Sequence, residues 1–456
     1  MLTGSRPQIW ATCLLLVVPV AVLAALSIYH APAWLIFEQV WNVQIAKFAG
    51  CSAFFDTAQA WDARDGRFRP VFNTLICLEA QTSPFVVQLI RVGQVAFLVI
   101  GGAYLVGAFK NLGSQASIAL GLLVTLVFTS IPGLWQSVSN TWYSEITALT
   151  FLVLGLLFRS PLLMLATGVL ATFSKESFGV WLLAVTLMMA WRRRWLLAGL
   201  GVAVTVLTGW PMVRALTRPS YPSNQLNLTE PDLVPRVLDN FVGLSQSVVL
   251  SALGVLVIFL LFKVNRHWSP LTAAVASTAL ALAAISLVHG TFRYQYVLDV
   301  TDLHALPAVY LLLLGLLMWA GPTARFRLTP IVSASVSLVS IAALFGVSAW
   351  EARGAHVQSR NWSEATQALL EWVDETPFAE QPRVALPSQV PPNSMDALLA
   401  LDGRFDNRVT PRWIWQGDPA WSEADYFVRL TPADIPPDGY TLIVSGGETG
   451  GVYRRD

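Results

Sequence analysis

Residues 161–191 form an apolar run interrupted by one charged pair, Lys175-Glu176, within Phe173-Ser174-Lys175-Glu176-Ser177. Arg159 precedes the run and Arg192-Arg193-Arg194 closes it. A membrane-crossing helix needs about 20 apolar residues, so a run of about 31 is too long for one crossing. The pattern predicts two short helices with the charged pair at the turn between them. Both basic ends then lie on the cytoplasmic side, and Lys175-Glu176 lies at the opposite membrane face. Ionisable groups held beside lipid are costly, which makes this pair a candidate functional feature.

The rest of the chain has the same character. It is 55% hydrophobic and only 12% charged, against about 25% charged residues in a soluble domain. The expected fold class is a polytopic α-helical membrane protein. The net charge of +1 gives no reason to expect a nucleic-acid partner. Apolar length marks about eleven transmembrane helices: 10–28, 84–108, 116–132, 145–158, 161–174, 177–191, 195–213, 245–262, 269–288, 305–320 and 329–349. The first is read as a retained helix rather than a signal peptide, by its length, its lack of a small-residue cleavage site and the spans that follow.

With the N-terminus inside, the cytoplasmic loops hold Lys110, Arg159, Arg192, Arg193, Arg194, Lys263, Arg266, Arg325 and Arg327, and no Asp or Glu. All 28 acidic residues fall on the other side or at that face. The basic residues satisfy the positive-inside rule. The acid partition places the chemistry outside, and an odd span count places the C-terminus there too.

Two regions are therefore expected: a transmembrane domain over 1–350 with a long first external loop at 29–83, and an extracytoplasmic soluble α/β domain over 351–456. In the first loop, 33–48 (AWLIFEQVWNVQIAKF) has the spacing of an interfacial helix. Further external stretches are 214–244, rich in Pro, Ser and Asn, and 289–304 (HGTFRYQYVLDVTDLH). Arg91, early in the second span, points into the bundle or snorkels to the outer face. In the tail, helices are predicted at 362–376 and 394–401, and strands at 383–386, 409–415, 425–430 and 440–445. The Gly446-Gly447 and Gly450-Gly451 pairs suggest a hairpin turn, and Gly101-Gly102 suggests helix packing. Of the three cysteines, Cys13 lies in the first span, while Cys51 and Cys77 share the first external loop. A Cys51–Cys77 disulfide suits an oxidising compartment.

Candidate chemistry rests on the external charges. Glu38, Asp56, Asp62 and Asp65 lie in the first loop, and Glu145 ends Asn140-Thr141-Trp142-Tyr143-Ser144-Glu145 at the mouth of the fourth span. Asp62 and Asp65 have Arg64, Arg67 and Arg69 beside them and read as solvated pairs. Glu145, beside a long apolar span, needs a partner. Lys175 and Glu176 pair with each other, cap their helices, or face the other acids in a shared site. One carboxylate can take a proton from an acceptor hydroxyl. Others can hold a divalent metal, Mg or Mn, because hard cations prefer oxygen ligands; Glu145 is the residue named for that role. Lys175, Arg293, Arg67 and Arg69 can neutralise a phosphate, and Tyr294 can add a hydroxyl contact or stack on a sugar. No phosphate-loop or zinc spacing occurs.

Three motifs resemble the GT-C superfamily of integral membrane glycosyltransferases. The first is an acid early in the first external loop followed by a GR-x-x-P element, here Glu38 and Gly66-Arg67-Phe68-Arg69-Pro70. The second is the acid closing the second external loop, Glu145, similar to the HTEA region of transmembrane-TPR O-mannosyltransferases. The third is the SKE turn, Ser174-Lys175-Glu176. Gln39 rather than a second acid follows Glu38, so Asp56 stands beside Glu38 as a candidate base.

The resemblance covers about 10–350 and implies a GT-C-like fold with a polyprenyl-phosphate-linked sugar as donor. It further implies an inverting hexosyl or pentosyl transfer to a glycan, lipid or protein hydroxyl on the extracytoplasmic side of a bacterial inner membrane. Glu38 and Asp56 are then catalytic, and Lys175, Arg293, Tyr294, Arg67 and Arg69 bind the donor phosphate. Glu145 and Glu176 form an acidic wall. Two rival readings are an O-antigen polymerase or ligase, whose site would lean on arginines, and a lipid or solute transporter, which would show paired repeats with broken helices.

Overall fold

The computed structural model describes residues 46, 50–52, 54–56, 68–82, 84–107, separate positions between 121 and 134, 144–216, 269–292, 298–323, most of 364–386, 399, 408–415, 419–429, 435–446 and 450–456. The spans expected at 10–28, 245–262 and 329–349 lie outside these residues, as do most of 116–132 and the interfacial segment 33–48 apart from Ala46.

The first region is helical. In order come α1 (Pro70–Ala80), α2 (Pro84–Leu105), α3 (Ser144–Phe158), α4 (Pro161–Ser174), a 3₁₀ turn (Glu176–Phe178), α5 (Gly179–Trp191), α6 (Trp195–Leu216), α7 (Pro270–Phe292) and α8 (Leu298–Thr323). Proline opens α1, α2, α4 and α7. Its fixed φ and missing N–H suit the first helical position, where the N–H has no intrahelical acceptor.

The connections between α3 and α6 are short. Arg159 and Ser160 alone join α3 to α4, with Arg159 in the left-handed region at φ 54°. Arg193, after α5, is also left-handed at φ 56°. Its N–H donates to the Ala190 carbonyl at 2.9 Å and the Arg194 N–H to the Met189 carbonyl at 3.0 Å. These two bonds form a Schellman cap, in which the left-handed residue is more often glycine. Such turns fold α3–α4 and α5–α6 into hairpins.

Small residues let the helices approach closely. A Cβ on Gly168 of α4 would stand 2.7 Å from Leu182 Cδ2 and 3.0 Å from Trp181 Cδ1 of α5. One on Gly155 of α3 would collide with the Thr167 hydroxyl of α4. In the Gly101-Gly102 pair, a Cβ on Gly102 would run into Phe128. Around these contacts lies one continuous core that includes Leu98, Leu149, Leu152, Phe178, Trp181, Val185 and Leu311. The Tyr310 hydroxyl donates to the Leu98 carbonyl at 2.7 Å and so ties α8 to α2.

The reading of 289–304 as an external loop needs correction. α7 runs on to Phe292 and α8 starts at Leu298, so most of this predicted loop is helix. Hydropathy marks the apolar middle of a helix, whereas polar end turns keep helical backbone. Among the described residues one helical window, Pro270–Leu287, is long and apolar enough to cross a membrane by length and composition; Pro161–Ser174, Glu176–Trp191 and Trp195–Trp210 are shorter apolar stretches. Large apolar side chains are exposed along α4, α5 and α6, among them Leu163, Leu183, Leu196 and Leu207.

The C-terminal region holds a five-stranded sheet in the order β2-β1-β3-β5-β4. Its strands are β1 (Arg383–Leu386), β2 (Arg412–Trp415), β3 (Tyr426–Arg429), β4 (Tyr440–Gly446) and β5 (Gly450–Arg455). β1 runs parallel to β2 and β3, while β5 is antiparallel to β3 and β4. Alternation along β1 sends Val384 and Leu386 to one core and Ala385 to the other. The first core is closed by Ala365, Leu369 and Trp372 from the helical residues 367–375 and their flank. Strand β5 was not expected: Gly450 and Gly451 lie in it, and Gly450 pairs with Gly446 of β4. Both glycines pass where a Cβ would meet Ala365 or the Val444 carbonyl. Of the helix expected at 394–401, only Leu399 is among the described residues.

Candidate functional site

Helix α4 ends at Ser174 because Lys175 adopts extended backbone, φ −148° and ψ 117°. The Lys175 N–H still closes the last turn on the Ala171 carbonyl at 2.8 Å, and its own carbonyl accepts from Phe178 at 3.0 Å. Phe178 is fully buried. Covering a side chain of that size is worth about 2 kcal/mol, which anchors the turn. The chain thus leaves one helix and enters the next with two ionisable side chains between them.

These two neighbours turn to different partners. Lys175 Nζ lies 2.8 Å from Glu145 Oε1, in the first turn of α3. The residues are 9% and 3% exposed. A cation at the C-terminal end of α4 and an anion at the N-terminal end of α3 each complement their helix dipole. The Ser144 hydroxyl donates to the other Glu145 oxygen at 3.3 Å.

Glu176 instead meets Arg69. Arg69 Nε donates to Oε2 at 2.7 Å and Nη2 to Oε1 at 2.8 Å, a bidentate fork. Arg69 is delivered from far away in the chain by two local features. Its carbonyl accepts the Asn73 N–H at 2.9 Å, which starts α1, and neighbouring Phe68 packs edge-on against Phe173 with centroids 5.6 Å apart. Cys51 and Cys77 are disulfide-bonded, with Cα atoms 5.7 Å apart. The bond fastens α1 to the helical residues around 51–56, over a small core of Phe54, Phe72 and Ile76. Gln81 Nε2 adds a bond to the Ala46 carbonyl at 2.8 Å.

A second polar group lies beside the first. Arg91 of α2 is 1% exposed, and its Nη1 donates to Thr147 Oγ1 at 2.7 Å and to Gln94 Oε1 at 3.1 Å. Gln94 Nε2 also donates to Thr147 Oγ1, at 3.3 Å. Arg91 therefore points into the bundle. Thr147, two residues after Glu145, and Gln94 were not singled out from sequence; a hydroxyl and an amide inside apolar helices were the available signals.

The sequence candidates sort as follows. Glu145, Lys175, Glu176 and Arg69 form one cluster with zero net formal charge. Asp56 is exposed at the end of the helical residues 54–56, next to Phe55. Glu38, Arg67, Arg293 and Tyr294 lie outside the described residues. The pairing of Lys175 with its own neighbour Glu176, one of the readings considered above, is replaced by the cross-helix pairs. Both oxygens of Glu145 are engaged by Lys175 and Ser144, an arrangement that does not fit a divalent cation. Among the described residues no three His, Cys, Asp or Glu side chains gather in one place. No family model matches this chain, and no curated protein matches it.

Proposed function

We propose that this chain is an integral membrane glycosyltransferase of GT-C type, using a polyprenyl-phosphate-linked sugar on the extracytoplasmic side of a bacterial inner membrane. The observation that carries the reading is the meeting of three motifs. Arg69 of the GR-x-x-P element, Glu145, and Lys175-Glu176 of the SKE turn are far apart in sequence and joined by ion pairs in space. Each motif alone is short, and their convergence on one largely buried charged cluster supports treating them as one site.

Support for the membrane comes from surface chemistry. Exposed Leu, Val and Trp side chains run along α4, α5 and α6, the kind of apolar surface that suits contact with lipid. Arg159 and Arg192–194 gather at the two hairpin turns at one end of these helices, and the Glu145–Lys175 and Arg69–Glu176 pairs at the other. That distribution suits a cytoplasmic arginine end and an external charged end.

The reaction needs few groups. A carboxylate, Glu38 or Asp56, takes the proton from the acceptor hydroxyl. The hydroxyl oxygen attacks the anomeric carbon from the face opposite the phosphate. The bond from that carbon to the phosphate oxygen breaks, and the lipid phosphate leaves with the electron pair. Arg69 and Lys175, with Arg293, stabilise it. Both described cations are already engaged by carboxylates, so a phosphate must displace one. The Glu176 side chain is 28% exposed and that of Glu145 4%. Arg69 is therefore the cation that exchanges its fork from Glu176 to phosphate, while Lys175 keeps its bond to Glu145 and acts on the phosphate through its charge alone. No step is routed through a metal.

The test is incubation of the purified chain with a panel of polyprenyl-phosphate sugars, following release of lipid phosphate. Release by the native protein is expected, lost in either Glu38→Gln or Asp56→Asn with donor binding kept. No release from any donor overturns the proposal, and full activity in both variants overturns the base assignment.

A further inference from the structure

The apolar helices that lead to the charged cluster are short. α3 has 15 residues, α4 has 14 and α5 has 13 after a 3-residue turn. At about 1.5 Å per residue they rise only about 20–24 Å. Charge closes both ends: Arg159 and Arg192–194 below, and Glu145, Lys175 and Glu176 above. An ordinary hydrocarbon core is about 30 Å thick. If the arginines sit at the inner boundary, the charged cluster falls about 8 Å short of the outer boundary of such a membrane.

The outward face of α6 shows how this mismatch is met. The Gly201 backbone lies against Thr186 of α5, which sets the two antiparallel helices in register and brings residue 210 level with the Glu176–Phe178 turn. Trp195, 68% exposed, stands beside the arginines, and Trp210, 65% exposed, stands at the level of the charged turn. They are about 22 Å apart along the helix. Between them Leu196, Val202 and Leu207 are exposed. Exposed tryptophans bracketing an apolar band mark the two headgroup levels of a bilayer. Beyond Trp210, α6 continues to Leu216, while α7, which packs against α5, and α8 have 23 and 26 residues, enough for an ordinary crossing.

We propose that the α4–α6 face binds a locally thinned bilayer with a hydrocarbon core of about 22 Å. This rests on the membrane reading above and extends it. The thin edge brings phosphate headgroups level with Arg69 and Lys175, so an anionic lipid reaches the cluster without its charge leaving the headgroup plane.

The test uses the full chain with Cys13→Ser, the disulfide intact, and a single spin label at an exposed lipid-facing position. Leu207→Cys, 73% exposed, lies one turn below Trp210; Leu196→Cys, 91% exposed, lies next to Trp195. Label depth is read by oxygen and nickel-complex accessibility in phosphatidylcholine bilayers with 18-carbon monounsaturated chains. The Leu207 label is expected about 5 Å below the outer headgroups, and a depth of about 13 Å overturns the proposal. The Leu196 label is expected within about 3 Å of the inner headgroups in either case. If both labels report water, the membrane reading itself has failed, and the thinning proposal fails with it. Repeating the measurement with 14-carbon chains is expected to leave the Leu207 depth unchanged. A shift of several ångströms between the two lipids also overturns it.

Discussion

At the scale of single residues, the decisive contact is Lys175 with Glu145. Both are buried, and removing one leaves the other charge without its counter-ion. Replacing Glu145 with Leu, or Lys175 with Met, is expected to cost about 3–5 kcal/mol of stability. The double variant Glu145→Leu/Lys175→Met is expected to recover most of that loss, as a thermal-unfolding double-mutant cycle would show; simple additivity would mean the two are not coupled. Arg193 makes a prediction of opposite sign. Its left-handed φ of 56° at a Schellman cap suits glycine, so Arg193→Gly should raise stability by about 1 kcal/mol in the same measurement. That an arginine stays where glycine is better tolerated fits a charge kept for orientation. The charged turn was legible from sequence because ionisable residues stand out in an apolar run. Its partners were not. Nothing local in the chain tells Lys175 to choose Glu145 over Glu176, since that choice depends on the extended backbone at Lys175 and on α1 bringing Arg69 across.

At the scale of elements, helix-to-helix distance is set by small residues. Gly168→Leu would place a side chain where Leu182 and Trp181 already sit. The expected cost is about 1–3 kcal/mol, seen as a lowered Tm, with exposed Val202→Leu as the neutral control. The disulfide makes a second prediction. It closes a separation of 26 residues, so its removal is expected to weaken the packing of 50–80 by about 3 kcal/mol. Limited proteolysis of that segment should then accelerate on reduction, with α3–α6 remaining resistant. Helix positions were largely readable: the apolar stretches 145–158 and 161–174 coincide with α3 and α4 to within a residue. Where polar sequence continued a helix, as in 289–292 and 298–304, hydropathy had nothing to register. Strand β5 was missed because its two leading glycines look like a turn. Their reason for being there is the close approach of Ala365 to Gly450 and of the Val444 carbonyl to Gly451, which is visible only in three dimensions.

For the whole molecule, the pairing of Arg69 with Glu176 and of Lys175 with Glu145 makes the cluster neutral before any ligand arrives. Under the proposed function, a phosphate enters by exchange, at the more exposed pair. The most direct measurement is the affinity of the purified native protein for a polyprenyl phosphate, compared with Arg69→Gln and with Arg192→Gln at the opposite end. Losing charge-assisted hydrogen bonds worth about 1.5–3 kcal/mol should weaken binding about 10- to 100-fold in Arg69→Gln. Arg192→Gln should bind as the native protein does. Unchanged affinity in Arg69→Gln, or an equal loss in both variants, would contradict a donor-phosphate site at this cluster.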